Sequence, residues 1–323
     1  MAYVLGTDEA GYGPNLGPLV VTATLWEVPD DASEDSLYDR LPGLIVPTAR
    51  EASAHGGRGL VVADSKRLYH PGGGLRNLER GVLSAMGLLG IDYDLWSEVW
   101  DALVPDALAV LARIPWYAQY NEPVPIDAAR NDLTDLVARL GEGLPAAGIR
   151  LRSVASEAVF PARFNELLLL HESKGAALSH VSLELAARLV ADLEDGPIAI
   201  VCDKHGGRNR YGRLLEEYFP DWLIEVRGEG RERSEYAFGP PQRRIRACFR
   251  MQAEACMPVA LASMVSKYLR ELAMRAFNAF WRQRVPSLVP TAGYPVDAAR
   301  FRRDIAETQA ALGIDDSILW RNR

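Results

Sequence analysis

Two apolar runs near the start of the chain set the first constraint on the fold. Residues 3–8 (YVLGTD) and 18–28 (PLVVTATLWEV) are rich in β-branched and apolar side chains and are separated only by the short segment GYGPNLG. Such a connection predicts two antiparallel strands joined as a hairpin. The first strand ends in two adjacent acids, Asp8 and Glu9, just before the glycine-rich turn. Neighbours in a regular strand point to opposite faces, so the two acids can share a site only where the strand ends or bulges, which Gly11 and Gly13 allow. Adjacent carboxylates in a half-buried place repel each other, and a hard cation such as Mg²⁺ or Mn²⁺ with oxygen ligands relieves the repulsion. The plainer alternative is an exposed turn carrying two acids. A dinucleotide-binding turn fits worse: the spacing is GxGxxxG rather than GxGxxG, the two acids would face a pyrophosphate, and Pro14 and Pro18 oppose a helix starting there.

The remainder reads as an alternation of strands and helices. Residues 29–58 are polar and irregular, an insertion or long loop. GLVV at 59–62 is a short strand candidate leading into ADSKRL. Residues 75–112 predict two helices, whereas 113–150, with prolines at 115, 123, 125 and 145, gives no clear pattern. A strand at 149–155 precedes a long helix over roughly 162–193 with a break near Gly175. GPIAIVCD at 196–203 is the kind of apolar run buried at a sheet centre. A glycine-containing loop leads to a helix near 211–218, and WLIEVR at 222–227 is a further strand. The charged, Pro/Gly-containing stretch 228–245 reads as a surface loop. Residues 251–282 are helical, and a Pro/Gly break at 286–295 precedes one or two short helices. This order predicts an α/β fold, a mixed sheet covered by helices on both faces.

A chain of 323 residues with 48% hydrophobic and 24% charged residues can bury its own core without staples. Cys202, Cys248 and Cys256 show no CxxC spacing and read as reduced, buried thiols of a cytoplasmic protein. No apolar run reaches membrane-spanning length and the N-terminal segment has no targeting pattern, so no membrane association is expected. A net charge of −7 argues against indiscriminate nucleic-acid binding, so the placement of the basic residues matters. They cluster at Lys204, Arg208, Arg210 and Arg213, at Arg243, Arg244, Arg246 and Arg250, and at Arg300, Arg302, Arg303, Arg321 and Arg323. Solvated helix faces are the ordinary explanation for such runs.

Two further acids stand in positions that suit chemistry. Asp203 closes IAIVCD, and catalytic groups often stand where a strand of an open α/β sheet ends. The loop after it offers Lys204, His205, Arg208 and Arg210 with free N–H groups at Gly206 and Gly207, a combination suited to a phosphate. Asp203 is equally readable as a turn or capping residue. Glu254 lies in RMQAEACMPVALASMVSK, an apolar segment with small residues that predicts a helix packed closely on a sheet. A glutamate there needs a metal or basic partner if buried, or faces solvent at the helix end.

Taken together, these segments resemble ribonucleases HII and HIII. The match consists of DEAGYG followed by LGPLVVTATL over 8–25, then Asp64, Ser65, Lys66 and Leu68, then the strand-ending Asp203, then Glu254 followed by Ala262, Ser263 and Lys267. Gly293 and Tyr294 look like the family's late tyrosine motif, and Trp320 and Arg321 weakly like its terminal pair. The resemblance implies a ribonuclease H-like catalytic region over 1–270, with 29–58 and 70–150 as insertions, and a C-terminal helical segment, 271–323, packed on it. It implies a monomeric endonuclease that hydrolyses the RNA strand of RNA–DNA hybrids, or ribonucleotides embedded in a DNA duplex, leaving 5′-phosphate ends. Asp8, Glu9, Asp203 and Glu254 would be the catalytic ligands of two Mg²⁺ or Mn²⁺ ions. Gly11, Tyr12, Gly13, Ser65, Lys66, Lys267 and Tyr294 would contact the nucleic acid, with discrimination through the ribose 2′-hydroxyl. Two departures stand out. Tyr12 replaces the arginine of the family's GRG, and the usual late histidine is missing, with Asp297 and Arg300 nearby. They leave room for a related metal nuclease acting on another structured nucleic acid, or for a non-catalytic nucleic-acid-binding relative.

Overall fold

The computed structural model describes residues 1–70 and 72–322; Arg323, counted above in the terminal basic run, lies outside the described residues. The first hairpin is formed as expected: β1 (Ala2–Ala10) pairs antiparallel with β2 (Leu19–Val28), with Asp8 opposite Thr22. A small parallel pair follows, β3 (Ile45–Val46) and β4 (Leu60–Val61), with α1 (Ala49–Ala54) between them. The next segments are α2 (Ser65–Leu68), α3 (Arg76–Leu88), α4 (Trp96–Leu103), α5 (Leu108–Leu111) and α6 (Arg130–Ala146). Then come β5 (Arg150–Val159), α7 (Pro161–His171), α8 (Lys174–Ala191), β6 (Ile198–Asp203) and α9 (Gly212–Tyr218). Three strands follow: β7 (Glu225–Glu229), β8 (Arg233–Phe238) and β9 (Ile245–Arg250). The chain ends with α10 (Met257–Arg284), α11 (Pro295–Ala311) and α12 (Asp316–Leu319).

Seven strands form one mixed sheet in the order β5-β2-β1-β6-β9-β8-β7. The pairings β1–β6 and β6–β9 are parallel and the others antiparallel. The pleat of β1 divides the core. Ala2 and Val4 belong to an apolar cluster with α10, while Tyr3 and Leu5 belong to a second cluster with α7, α8 and α9. The sheet is thus covered by helices on both faces, as the strand–helix alternation predicts. Gly6 decides how close α10 comes: a Cβ there would lie 2.4 Å from the Val259 nitrogen. The first turn of α10 therefore rests directly on β1, and the Thr24 hydroxyl of β2 donates to the Pro258 carbonyl at 2.8 Å.

Residues 70–150 do not stand apart from this core. α3 packs on α10 and α6 on α3. Trp96, Trp100, Trp116 and Tyr117 join Phe160, Phe277 and Trp281 in one aromatic cluster. α10 runs unbroken through residue 270. The break in the long helix falls at Glu172, left-handed with φ 61°, and Ser173 caps α8 by accepting the Ala176 N–H at 3.2 Å.

Two sequence readings are corrected. The stretch 113–150 contains the 17-residue helix α6, which tolerates Pro145 near its end. The stretch 228–245 is not a surface loop: it holds β8, and its last residue opens β9, the direct parallel neighbour of β6. The charges misled because alternate residues of these strands are apolar and buried, Tyr236, Phe238, Ile245, Ala247 and Phe249. Their arginines project from the other side of the pleat onto the acidic 30–35 loop. Arg246 reaches Glu34 at 2.8 Å, and Arg250 grips both oxygens of Asp35 at 3.0 and 2.5 Å.

Candidate active site

β1 and β6 are in parallel register, Thr7 beside Cys202, so Asp8 and Asp203 arrive together where the two strands end. Both fall on the pleat face turned toward α10. The third acid comes from the crossover after β9. Gln252 adopts a left-handed conformation, φ 58°, and turns the chain into the single 3₁₀ turn Ala253–Ala255 that carries Glu254. The close seating of α10 on Gly6 fixes this turn over the strand ends. One carboxylate oxygen from each of Asp8, Asp203 and Glu254 lies within 4.8 Å of the other two. Glu9 follows Asp8 on the opposite side of the pleat and is not part of this tight set, although its charge is felt by Asp8. Ala10 still pairs with Val20, so β1 continues past both acids without the bulge that the sequence allowed.

Little positive charge balances these acids. Lys66 Nζ stands 3.8 Å from Glu254 Oε1. Its helix, α2, is capped by Asp64, whose Oδ1 accepts the Lys66 N–H at 3.0 Å. Burial, then the charges of Glu9 and Glu254, push the Asp8 carboxyl well above its ordinary range, against a hydrogen bond from Ser263. Glu9 is raised to about 7 by burial and then Asp203, with Lys66 opposing. Burial likewise raises Asp203 and Glu254, and Asp203 adds to the effect at Glu254. Burial disfavours the Lys66 ammonium, but Asp64, Asp8, Glu254 and Glu9 outweigh it and hold its pKa above the ordinary value. Carboxylates so crowded call for more positive charge than one lysine brings, and an all-oxygen donor set fits a hard divalent cation.

The residues expected to meet nucleic acid fall into two groups. Gly13 is exposed, and the Tyr294 ring lies 3.8 Å from where a Gly13 Cβ would stand, so turn and tyrosine form one surface beside the acids. Tyr294 is 57% exposed. The Tyr12 hydroxyl fills the seam between Gly175 of α8 and Gly206, and burial raises its pKa, aided by Glu9. Ser65 is buried, its N–H and hydroxyl both engaged by the Ser263 hydroxyl, so it anchors Lys66. Lys267 is committed elsewhere, 2.5 Å from Glu271 Oε1 and 4.5 Å above the Tyr69 ring. Lys204 also turns inward, donating to the Gly230 carbonyl at 2.7 Å and the Ser234 hydroxyl at 2.8 Å. That removes it from the phosphate-binding loop read from the sequence. A cavity of about 540 Å³ lined by Asp203, Asn209, Arg231 and Gln252 opens beside the acids.

Sequence reasoning met Ser263 only as part of the motif after Glu254 and Arg321 only as part of a basic run and a terminal pair, and it did not single out Ser266 or Arg270. The Ser266 hydroxyl donates to the Asp8 carbonyl at 3.0 Å, and the two arginines lie beneath the turn at 11–18. The small-residue pattern of α10 was the available signal for the serines.

No family model and no curated protein sequence matches the chain. Among solved structures it is similar to the ribonuclease HII of Archaeoglobus fulgidus, seen in a complex with PCNA, at 17% identity and a TM-score of 0.45, covering 99% of this chain and 94% of that one. It is similar to ribonuclease H2 of Pyrococcus horikoshii OT3 at 16% identity and a TM-score of 0.45, covering 98% and 92%. It is also similar to Bst-RNase HIII in complex with Mn²⁺ at 15% identity and a TM-score of 0.41, covering 99% and 66%.

Proposed function

We propose that this chain is a divalent-metal-dependent nuclease of the ribonuclease HII/HIII type, hydrolysing the RNA strand of RNA–DNA hybrids or ribonucleotides embedded in duplex DNA. The observation that carries this reading is the meeting of Asp8, Asp203 and Glu254, from three distant parts of the chain, within 4.8 Å of one another at the mouth of a sheet. Asp8, Asp203 and Glu254 would hold the metal directly, and Glu9, outside that tight set, would add its negative charge beside them. When bound, two Mg²⁺ or Mn²⁺ ions supply an activated water and charge stabilisation at the leaving oxygen. The remaining work belongs to the chain. Lys66, 80% exposed and anchored through Ser65, contacts a backbone phosphate. The N–H edge of Gly11, Tyr12 and Gly13 meets the ribose, where a 2′-hydroxyl distinguishes RNA from DNA, and the exposed Tyr294 ring stacks on the adjacent sugar. The products carry 5′-phosphate and 3′-hydroxyl ends.

The deciding experiment is cleavage, in Mg²⁺ and in Mn²⁺, of a long hybrid, a duplex with one ribonucleotide, an all-DNA duplex and a hairpin RNA, by wild type and Asp8→Asn. The reading expects cleavage of one or both ribonucleotide-containing duplexes, sparing of all-DNA, and loss of activity in the variant. A second reading, a metal nuclease for another structured nucleic acid, is favoured by Tyr12, whose hydroxyl is tucked into the 175/206 seam and presents no cation to a phosphate. Cleavage confined to the hairpin would select it. Binding without cleavage of any substrate, in either metal, would leave a non-catalytic nucleic-acid-binding protein.

A further inference from the structure

The turn between β1 and β2 is held from within by two buried arginines. Every hydrogen bond made by their guanidinium groups goes to a main-chain carbonyl. Arg321 is 0% exposed; Nη2 donates to the Gly11 carbonyl at 2.5 Å and Nε to the Pro14 carbonyl at 3.0 Å, and the group lies 4.4 Å from the Phe164 ring centre. Arg270 of α10 donates through Nη1 to Pro18 at 2.6 Å and through Nη2 to Leu16 at 3.1 Å and Ala292 at 3.0 Å. The main chain around Arg321 is tied to the same turn: its N–H donates to the Asn15 carbonyl at 2.8 Å, and the Asn15 amide donates back at 2.9 Å.

Burying a guanidinium without a carboxylate is costly, and a passive turn has cheaper ways to satisfy its carbonyls. Here the two forks draw four carbonyls of one eight-residue turn, Gly11, Pro14, Leu16 and Pro18, toward the interior. The turn answers with glycine where Arg270 passes. Gly11 has φ +93°, and a Cβ on it would stand 3.0 Å from Arg270 Cδ and Nη1 and 2.6 Å from the Pro18 carbonyl. With the carbonyls turned inward, the N–H groups of Tyr12 and Gly13 meet no acceptor among the described residues and stay available at the surface shared with Tyr294.

We propose that Arg321 and Arg270 are positioning residues for substrate: a cationic clamp that fixes the carbonyls of residues 11–18 inward so that the turn offers a preorganised N–H edge to the sugar–phosphate backbone beside the acid cluster. The substrate part of this proposal rests on the nuclease reading above; the ordering of the turn does not.

The test uses the full chain with Arg321→Met and Arg321→Lys. Amide hydrogen exchange in the free protein is expected to quicken at least tenfold at Asn15 and Leu16, the turn amides bonded to the Gly293 carbonyl, in Arg321→Met, with β6 and α8 unchanged. Mn²⁺ affinity by calorimetry is expected to stay within about twofold, because all four acids remain. On a duplex with one ribonucleotide, KM is expected to rise at least fivefold while kcat moves less than twofold, with Arg321→Lys in between because it keeps the charge and loses the fork. A role confined to global stability would instead lower the active fraction, seen as a fall in kcat at constant KM, and would overturn the proposal. Unchanged exchange at Asn15 and Leu16 would overturn it as well. If wild type cleaves neither ribonucleotide-containing duplex, the nuclease reading fails by itself, and the exchange measurement still decides whether the clamp orders the turn.

Discussion

The Ser263 hydroxyl, near the start of α10, lies 3.0 Å from the Ser65 hydroxyl and also accepts the Ser65 N–H at 3.3 Å. The same side chain hydrogen-bonds the Asp8 carboxyl and thereby favours its charged form. One buried hydroxyl thus ties together the β1 acid, the helix bearing Lys66 and the helix that follows Glu254. Ser263→Ala removes these bonds while leaving every charge in place. It is expected to cost about 1–2 kcal/mol of stability and to weaken Mn²⁺ binding about tenfold, as loss of a group supporting a metal ligand does. Urea unfolding and calorimetric titration check the two effects separately. A variant as stable as wild type, with unaltered metal affinity, would show that this bridge orients nothing.

Asp8→Asn trades function for stability. Asp8 is buried, and the charges of Glu9 and Glu254 disfavour its carboxylate, so the metal-free fold is penalised by the acids it keeps. Removing one charge is expected to raise the melting temperature in EDTA at pH 8 by a few degrees, the equivalent of about 1 kcal/mol. Wild type is expected to gain about 2.7 kcal/mol from a cation at one hundred times its Kd, whereas the variant gains far less. Thermal scans with and without Mn²⁺ measure both. Equal stabilisation of the two proteins by metal would place the cation elsewhere.

The pH dependence of the metal-free protein follows from the same crowding. A carboxyl with a raised native pKa holds its proton more tightly folded than unfolded. Its contribution to stability is therefore complete below the unfolded value and is lost as pH rises through the native one. Glu9 goes from 4.5 to about 7 and Asp8, Asp203 and Glu254 shift the same way, so the melting temperature in EDTA is expected to fall between pH 5 and pH 8. Saturating Mg²⁺ favours the ionised carboxylates and is expected to flatten or reverse the slope. Parallel pH curves with and without metal would mean that the ion does not meet these acids.

The parts of this architecture that were legible in sequence are those whose neighbours do not matter. The β1–β2 hairpin is written in two β-branched runs and a glycine turn, β6 in six residues of which five are apolar. Asp8 and Asp203 were readable because strand ends are marked by the change from apolar to glycine-rich sequence. What could not be read depends on partners distant in the chain. The arginines of β9 looked like part of a loop because their acids, Glu34 and Asp35, lie some two hundred residues earlier. Lys204 looked free because nothing local announces the Gly230 carbonyl; Lys267 has a local partner in Glu271, four residues on, and only the Tyr69 ring beneath it is distant in sequence. Arg270 and Arg321 bind main-chain carbonyls, which carry no sequence signature at all. α6 was hidden by Pro145 and by a polar face, although Leu133, Leu136, Leu140 and Leu144 keep helical spacing on its buried side.

Glu79 shows how the 70–150 region is built into the same core. It lies in α3, is 0% exposed, and its carboxylate accepts three successive main-chain N–H groups, from Ile126 at 2.6 Å, Asp127 at 2.8 Å and Ala128 at 2.7 Å. The Tyr268 hydroxyl of α10 adds a fourth donor at 3.3 Å. Asp127 then accepts the Leu75 N–H at 2.6 Å, closing the loop back onto the start of α3. An isolated buried charge is unfavourable, but one surrounded by four donors is held in the manner of an anion bound by a nest of amides. Glu79→Gln keeps the shape and reverses half of the polarity, setting an NH₂ group against N–H donors. The expected loss is about 3 kcal/mol in urea unfolding, larger than that for Ser263→Ala. Glu79→Asp, which keeps the charge one methylene short, is expected to lose less. Because Glu79 meets none of the four acids of the candidate site, Mn²⁺ affinity of the folded Glu79→Gln protein is expected to match wild type. A stable Glu79→Gln protein would show that the 124–128 segment is held by its apolar contacts, Val124 above all, and that the carboxylate is incidental to them.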